Sequence, residues 1–87
     1  MPALLVTYEL KSPDQDYSTF HSMLHSYPSI KLSGSSVVLA TNDTPANFFE
    51  GIWPWIDQND TVLIFEITNN WSGVGSKEAQ QWLKERL

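Results

Sequence analysis

Several features that stabilise or identify small proteins are missing from this sequence of 87 residues. It has no cysteine, which excludes disulfides and zinc sites built from thiolates. It has five lysines and arginines against ten aspartates and glutamates, and the basic residues are scattered. Nonspecific nucleic-acid binding needs them clustered, so nucleic acid is not a favoured partner. No apolar run approaches the roughly 18 residues of a membrane span, and no signal peptide is visible. We expect a soluble cytoplasmic protein with no membrane contact.

Aromatic residues are what the chain has in abundance: four Trp, four Phe and three Tyr. Each of these rings can bury a large apolar area. The chain is short enough to be one domain, residues 1–87, with one small core. Because such a domain is marginally stable unless it packs densely or oligomerises, we expect a homodimer that buries some of the rings.

Hydrophobic periodicity and turn signals predict four strands, two helices between them and a helix at the end. In chain order these are a strand over Ala3–Leu10, a helix over Gln15–Ser26, a hairpin of Ile30–Leu32 and Ser36–Thr41, a helix from Pro45, a strand over Thr61–Thr68 and a helix after Ser76. Pro54 is expected to kink or end the second helix, because it lacks the N–H that the helix needs. Trp53 lies on the apolar stripe of that helix and is predicted to be buried.

The order strand, helix, strand, strand, helix, strand predicts an α+β fold, the ferredoxin-like βαββαβ arrangement with a C-terminal helix added. Its antiparallel sheet has the strand order 4-1-3-2, which makes the first strand central. Right-handed crossovers place both main helices on one face of the sheet. The other face is then expected to be bare, which favours dimerisation.

Five short stretches carry a resemblance to a known family. They are Val6–Leu10, Asp16–Tyr17, Ser35–Val38, Ile56–Ile64 and Trp82–Glu85. Together they resemble the SinR-like proteins, small bacterial and phage proteins related to the ferredoxin-like CRISPR-associated adaptation subunit and more distantly to VapD toxins. The resemblance implies a homodimer of ferredoxin-like domains. It also implies that Glu9 stands where CRISPR-associated relatives reported as nucleases have a metal-binding aspartate.

The candidate metal ligands are Glu9, Asp14 and Asp16. Carboxylates bind Mg²⁺ or Mn²⁺, and a metal shared between two copies could activate water for phosphodiester cleavage. However, glutamate is one methylene longer than aspartate, and metal-assisted cleavage tolerates little misplacement. The favoured interpretation is that Glu9 is a strand-end carboxylate that faces solvent or a lysine and that the two aspartates cap the first helix.

Two further groups of side chains have a functional and a structural interpretation. His21 and His25 are four residues apart on a helix, a spacing that can hold zinc, but no third ligand is evident, and we expect two surface histidines. Trp55 and Trp71 could stack on bases or fill a pocket of a partner. The helical pattern does not assign them to the core, and they are our predicted interface residues.

Three functions remain open from the sequence. The favoured one is a non-catalytic homodimeric interaction or regulatory module, in a bacterial or phage defence context, without a cofactor. One alternative is a divalent-metal-dependent endoribonuclease with Glu9 as a ligand. Another is a phage inhibitor of a nucleic-acid-binding enzyme.

Overall fold

The computed structural model describes residues 2–87, and it confirms the predicted α+β fold. The elements are β1 (Ala3–Glu9), α1 (Ser18–His25), β2 (Ser29–Ser33), β3 (Ser36–Ala40), α2 (Pro45–Ile52), a 3₁₀ helix (Trp53–Trp55), β4 (Thr61–Ile67) and α3 (Lys77–Arg86). The strands form one antiparallel sheet in the order β2-β3-β1-β4, the predicted order read from the other edge. No helix in residues 2–87 combines the length and apolar character that crossing a bilayer requires.

The sheet is organised around β1, which pairs along its length with β3 on one side and β4 on the other. Val6, at its middle, lies between Val37 and Ile64 and is fully buried. Alternate residues of β1 point to one face of the sheet, because side chains in a strand alternate between faces. On that face α1 and α2 complete the main core, whose buried members are Leu4, Val6, Tyr8, Phe20, Leu24, Val37, Leu39, Phe48 and Ile52.

The helices begin where polar side chains satisfy free backbone N–H groups. The Thr44 hydroxyl accepts from the Asn47 amide at 3.1 Å, and Pro45 occupies the first turn of α2. Ser76 caps α3 in the same way. Helix α1 begins at Ser18, three residues later than predicted, because Asp16 accepts the Ser18 amide in a turn that precedes the helix.

Two predictions about α2 have different outcomes. The helix ends at Ile52 and passes into the 3₁₀ turn that contains Pro54, as expected. The predicted burial of Trp53 is wrong, because 58% of its surface is exposed. Helix α2 buries only the row of Phe48 and Ile52. The neighbouring row, Phe49 and Trp53, lies on the flank beside β4, where the sheet ends.

The second face of the sheet is not bare as predicted. Helix α3 and the segment before it lie over the part of this face near β2. Trp71 and Leu83 there line a cavity with Leu5 and Val38, and Val38 is buried. The part of the same face formed by β4 remains open.

Candidate functional site

The three predicted metal ligands lie near the C-terminal end of β1, but they do not form a site within one chain. Glu9 is the last residue of β1, and its Oε1 lies 3.8 Å from Nζ of Lys11. Asp16 accepts the Ser18 amide at 2.9 Å, a bond that lowers its pKa, and Asp14 is exposed in the preceding turn. No three His, Asp or Glu side chains among residues 2–87 are grouped so that they could hold a metal ion. A metal site at Glu9 stays a prediction, and it requires a second copy.

Glu9 does line an open groove of about 590 Å³ at the end of the sheet. His21 and Tyr8 form part of the same groove, together with Ser35 in the turn between β2 and β3. The His21 ring packs edge-on against Tyr8, with ring centroids 6.0 Å apart, and it is partly buried. Burial lowers the pKa of His21, and the charges of Lys31 and His25 act in the same direction. Of the two histidines predicted to lie at the surface, His25 is exposed and His21 is partly buried in the wall of the open groove.

A network of hydrogen bonds, which we call the loop latch, ties the segment after β1 to the segment before β4. Asp60 is its centre: one carboxylate oxygen accepts the Lys11 amide at 2.7 Å, and the other accepts the Asp57 amide at 2.8 Å. The Tyr17 hydroxyl donates to the same carboxylate at 2.7 Å. The Ser12 hydroxyl donates to Asp57. The latch fixes the start of β4 against the end of β1.

The latch stabilises the charged form of Asp60. Its partial burial acts to raise the pKa, but the amides of Lys11 and Asp57 and the hydroxyl of Tyr17 together outweigh it, so the pKa lies below its ordinary value of 3.8. Burial raises the pKa of Tyr17, and its bond to Asp60 raises it further. The sequence predicts only a turn at Gln58–Asp60. Asp57, just before that turn, and Asp60, at its end, are the signal in the sequence for such a network, because Asp side chains commonly accept hydrogen bonds from nearby amides.

Exposed apolar side chains gather along β4, the edge strand of the sheet. Leu63 and Phe65 are 52% and 49% exposed, and both point to the face opposite α1 and α2. On the helix side of the same strand, Phe49 and Trp53 line a cavity of about 240 Å³ with Val62. Apolar groups therefore flank this edge on both faces of the sheet. We call these five residues the β4 surface.

The two predicted interface tryptophans lie in different surroundings. Trp55 is exposed at the end of the 3₁₀ helix, two residues beyond Trp53. Trp71 is half-buried against α3 and the second face of the sheet, where it fills space within its own chain. Their role in an interface stays a prediction.

Comparison with known proteins gives no match: no protein-family model, curated protein or solved structure matches the chain. The resemblance to the SinR-like proteins thus stays a prediction from short motifs.

Proposed function

We propose that this protein is a homodimeric, non-catalytic interaction module of the SinR-like type, which regulates a partner protein in a bacterial or phage defence context. The observation that carries the proposal is the β4 surface. Large apolar side chains are half-exposed on both sides of one edge strand. Single exposed apolar residues are normal on any protein, but a group of them marks an interaction site.

The composition of this surface is typical of protein interfaces. Aromatic residues are enriched where proteins bind one another, and the centre of an interface is depleted of charge. Phe49, Trp53 and Phe65 supply three rings, and Glu66 is the only charged residue of β4. A small domain with little core also gains stability when a second copy covers such a surface.

The alternative function is a metal-dependent ribonuclease with Glu9 as a metal ligand. The observation in its favour is that Glu9 lines the open groove together with His21, so that a carboxylate and an imidazole face one space. Against it stand the ion pair of Glu9 with Lys11 and the lack of two further ligands among residues 2–87. The described residues that line the groove also include no lysine or arginine, which RNA phosphates would require.

Two measurements on the purified chain separate these functions. Sedimentation equilibrium between about 1 and 100 μM is expected to give a monomer–dimer equilibrium with a micromolar or lower Kd. A monomer throughout this range would contradict the proposal. Single-stranded and duplex RNA incubated with Mg²⁺ or Mn²⁺ is expected to stay intact. Cleavage that disappears in Glu9→Ala and persists in Glu50→Ala, which changes an exposed carboxylate of α2, would establish the nuclease instead.

A further inference from the structure

We infer that two copies of this chain join through β4, which pairs antiparallel with β4 of the second copy in a register centred on Ile64. The four-stranded sheet then continues across the dimer. This inference rests on the proposed homodimer, and it specifies the strand, the register and the residues that meet.

The first step is that β4 has an open edge. The strand pairs with β1 along one side, and its other side is an edge of the sheet. It pairs with β1 over all seven of its residues and contains no proline or lysine. Natural proteins protect edge strands with such residues, with bulges or with short strands, since unpaired N–H and C=O groups recruit other strands. An edge as long and as apolar as β4 is therefore suited to pairing.

The second step is the register. Paired residues in antiparallel strands point to the same face, so a two-fold axis at the seam must pass through a residue position. The axis at Ile64 pairs the whole strand, with Thr61 opposite the partner's Ile67. It also places Leu63 opposite the partner's Phe65, and Phe65 opposite the partner's Leu63. The two most exposed apolar residues of the strand then cover each other, and aromatic–aliphatic cross-strand pairs of this kind stabilise sheets.

The third step is the helix side of the seam. The two-fold axis is perpendicular to the sheet, so the two α2 helices lie on the same face of the continuous sheet. Phe49 and Trp53, on the flank of α2 beside Val62, then lie along the seam, where Val62 is opposite the partner's Glu66. The register also keeps like charges apart, because the two Glu66 residues are separated by about 13 Å along the strands. Charge repulsion between two acidic chains is thus small at the seam itself.

This dimer separates the two Glu9 residues. Glu9 pairs with Thr61, which lies at one end of β4, and β1 lies one strand further from the seam. Strand and residue spacings place the two Glu9 positions about 14 Å apart across the sheet and about 20 Å apart along it. The two carboxylates cannot share a metal ion in this arrangement, which agrees with a non-catalytic module.

Single cysteines test the register cleanly, because the native chain has none. Thr61→Cys and Ile67→Cys leave Leu63 and Phe65 in place and form opposite ends of the predicted pairing. The two proteins, distinguished by mass, are mixed in the reduced state and then oxidised. A disulfide needs Cα atoms within about 7 Å. In the predicted register, the two introduced cysteines come within this distance only when the Thr61→Cys protein pairs with the Ile67→Cys protein.

The expected result is a mixed disulfide dimer as the main product, with little dimer from either variant alone. Sedimentation of the reduced proteins and thermal melts establish that both variants fold and associate. A dimer that forms without the mixed disulfide overturns the inference and leaves the proposed homodimer intact. A third variant, Phe65→Cys, has the same meaning if it forms a disulfide with its own copy, because the axis would then pass through residue 65. A monomer in the native chain overturns both. Strong linkage of each variant to itself also contradicts the register.

Discussion

The two edges of the sheet are built differently. The β2 edge is five residues long, is irregular between Lys31 and Ser33, and has helix α3 beside it. Lys31 also places a charge on the helix face of that edge. The β4 edge is seven residues long, pairs regularly with β1 and is flanked by exposed apolar side chains.

This difference determines what kind of assembly the chain can form. If both edges were open, β2 of one copy could add to β4 of the next, and the sheet would extend without limit. With β2 protected, the strand that β4 can pair with in another copy of this chain is that copy's β4. That contact is self-complementary and closes after two copies. The protected β2 edge thus limits the assembly to two copies, and the open β4 edge provides the contact between them.

The largest expected effect comes from a lysine placed on the β4 edge, and the same residue placed on the β2 edge is its control. Phe65→Lys puts a charge at the centre of the predicted seam, opposite the partner's Leu63, and the charge must be desolvated there. We expect the Kd of the dimer to rise by about 100-fold, or about 2.7 kcal/mol, in sedimentation equilibrium.

Leu32→Lys is the matched control, because Leu32 is 42% exposed on the β2 edge. Its Kd should change by less than about 3-fold, since a lysine stem can lie over the apolar surface and keep its charge in water. Circular dichroism establishes that both variants fold. Equal loss of association in the two variants would remove the distinction between the edges.

The next effect concerns the loop latch, which fixes the start of β4. Asp60→Asn replaces a charged acceptor of several hydrogen bonds. We expect a loss of about 1–2 kcal/mol in the free energy of unfolding at pH 7, given partial solvent exposure. Asp14→Asn, the same change at an exposed turn position, should cost less than about 0.5 kcal/mol. Urea denaturation at one fixed protein concentration measures both.

The pH dependence of this effect follows from the direction of the pKa shift. The folded pKa of Asp60 lies below its ordinary value of 3.8, so the folded state binds its proton less readily than the unfolded state. The stabilisation is therefore complete above pH 3.8 and is lost as the pH falls below that value through the folded pKa. Native protein and Asp60→Asn should differ most near neutral pH and converge in acid. A difference that grows in acid would contradict the role of the latch.

The sequence predicted the sheet order because the order of its elements matches the ferredoxin-like arrangement. Each strand also has a local signal: Val6 and Ile64 lie in apolar runs, and the short Gly34 turn indicates the hairpin of β2 and β3. Trp53 shows where this reasoning fails. Helical spacing places Trp53 on an apolar stripe. How much of that stripe is buried depends on where the sheet ends beneath α2.

The candidate sites depended more strongly on contacts distant in sequence. Asp60 and Lys11 are 49 positions apart, and no periodicity connects them. The β4 surface likewise combines Phe49 with Phe65, which belong to different elements on opposite faces of the sheet. The predicted strand order places the fourth strand at an edge, but the local sequence could not show that apolar side chains on both of its faces would stay exposed.

A smaller effect is expected at the helix side of the seam. Trp53→Ala removes a ring that overhangs β4, and we expect the Kd to rise by about 10-fold. Stability at a concentration where the protein is monomeric should fall by less than about 1 kcal/mol, because the ring is mostly exposed. Trp55→Ala, at the exposed end of the 3₁₀ helix, is the control and should change the Kd by less than about 3-fold. If Trp53→Ala instead cost the roughly 3–5 kcal/mol typical of a buried ring, Trp53 would belong to the core as the sequence predicted.

The smallest expected effect is also the sharpest test of the protected edge. Lys31→Val removes the charge from β2 and supplies a residue that favours strands. The short length, the irregular pairing and α3 all remain, so the edge should open only weakly. We expect dimers to persist at about 10 μM and a minor population of larger assemblies to appear above about 100 μM. Lys77→Val, the same change at the start of α3, lowers the net charge equally and should form no assemblies larger than the dimer. If Lys31→Val behaves like Lys77→Val, then the backbone irregularity and the helix protect this edge without help from the charge.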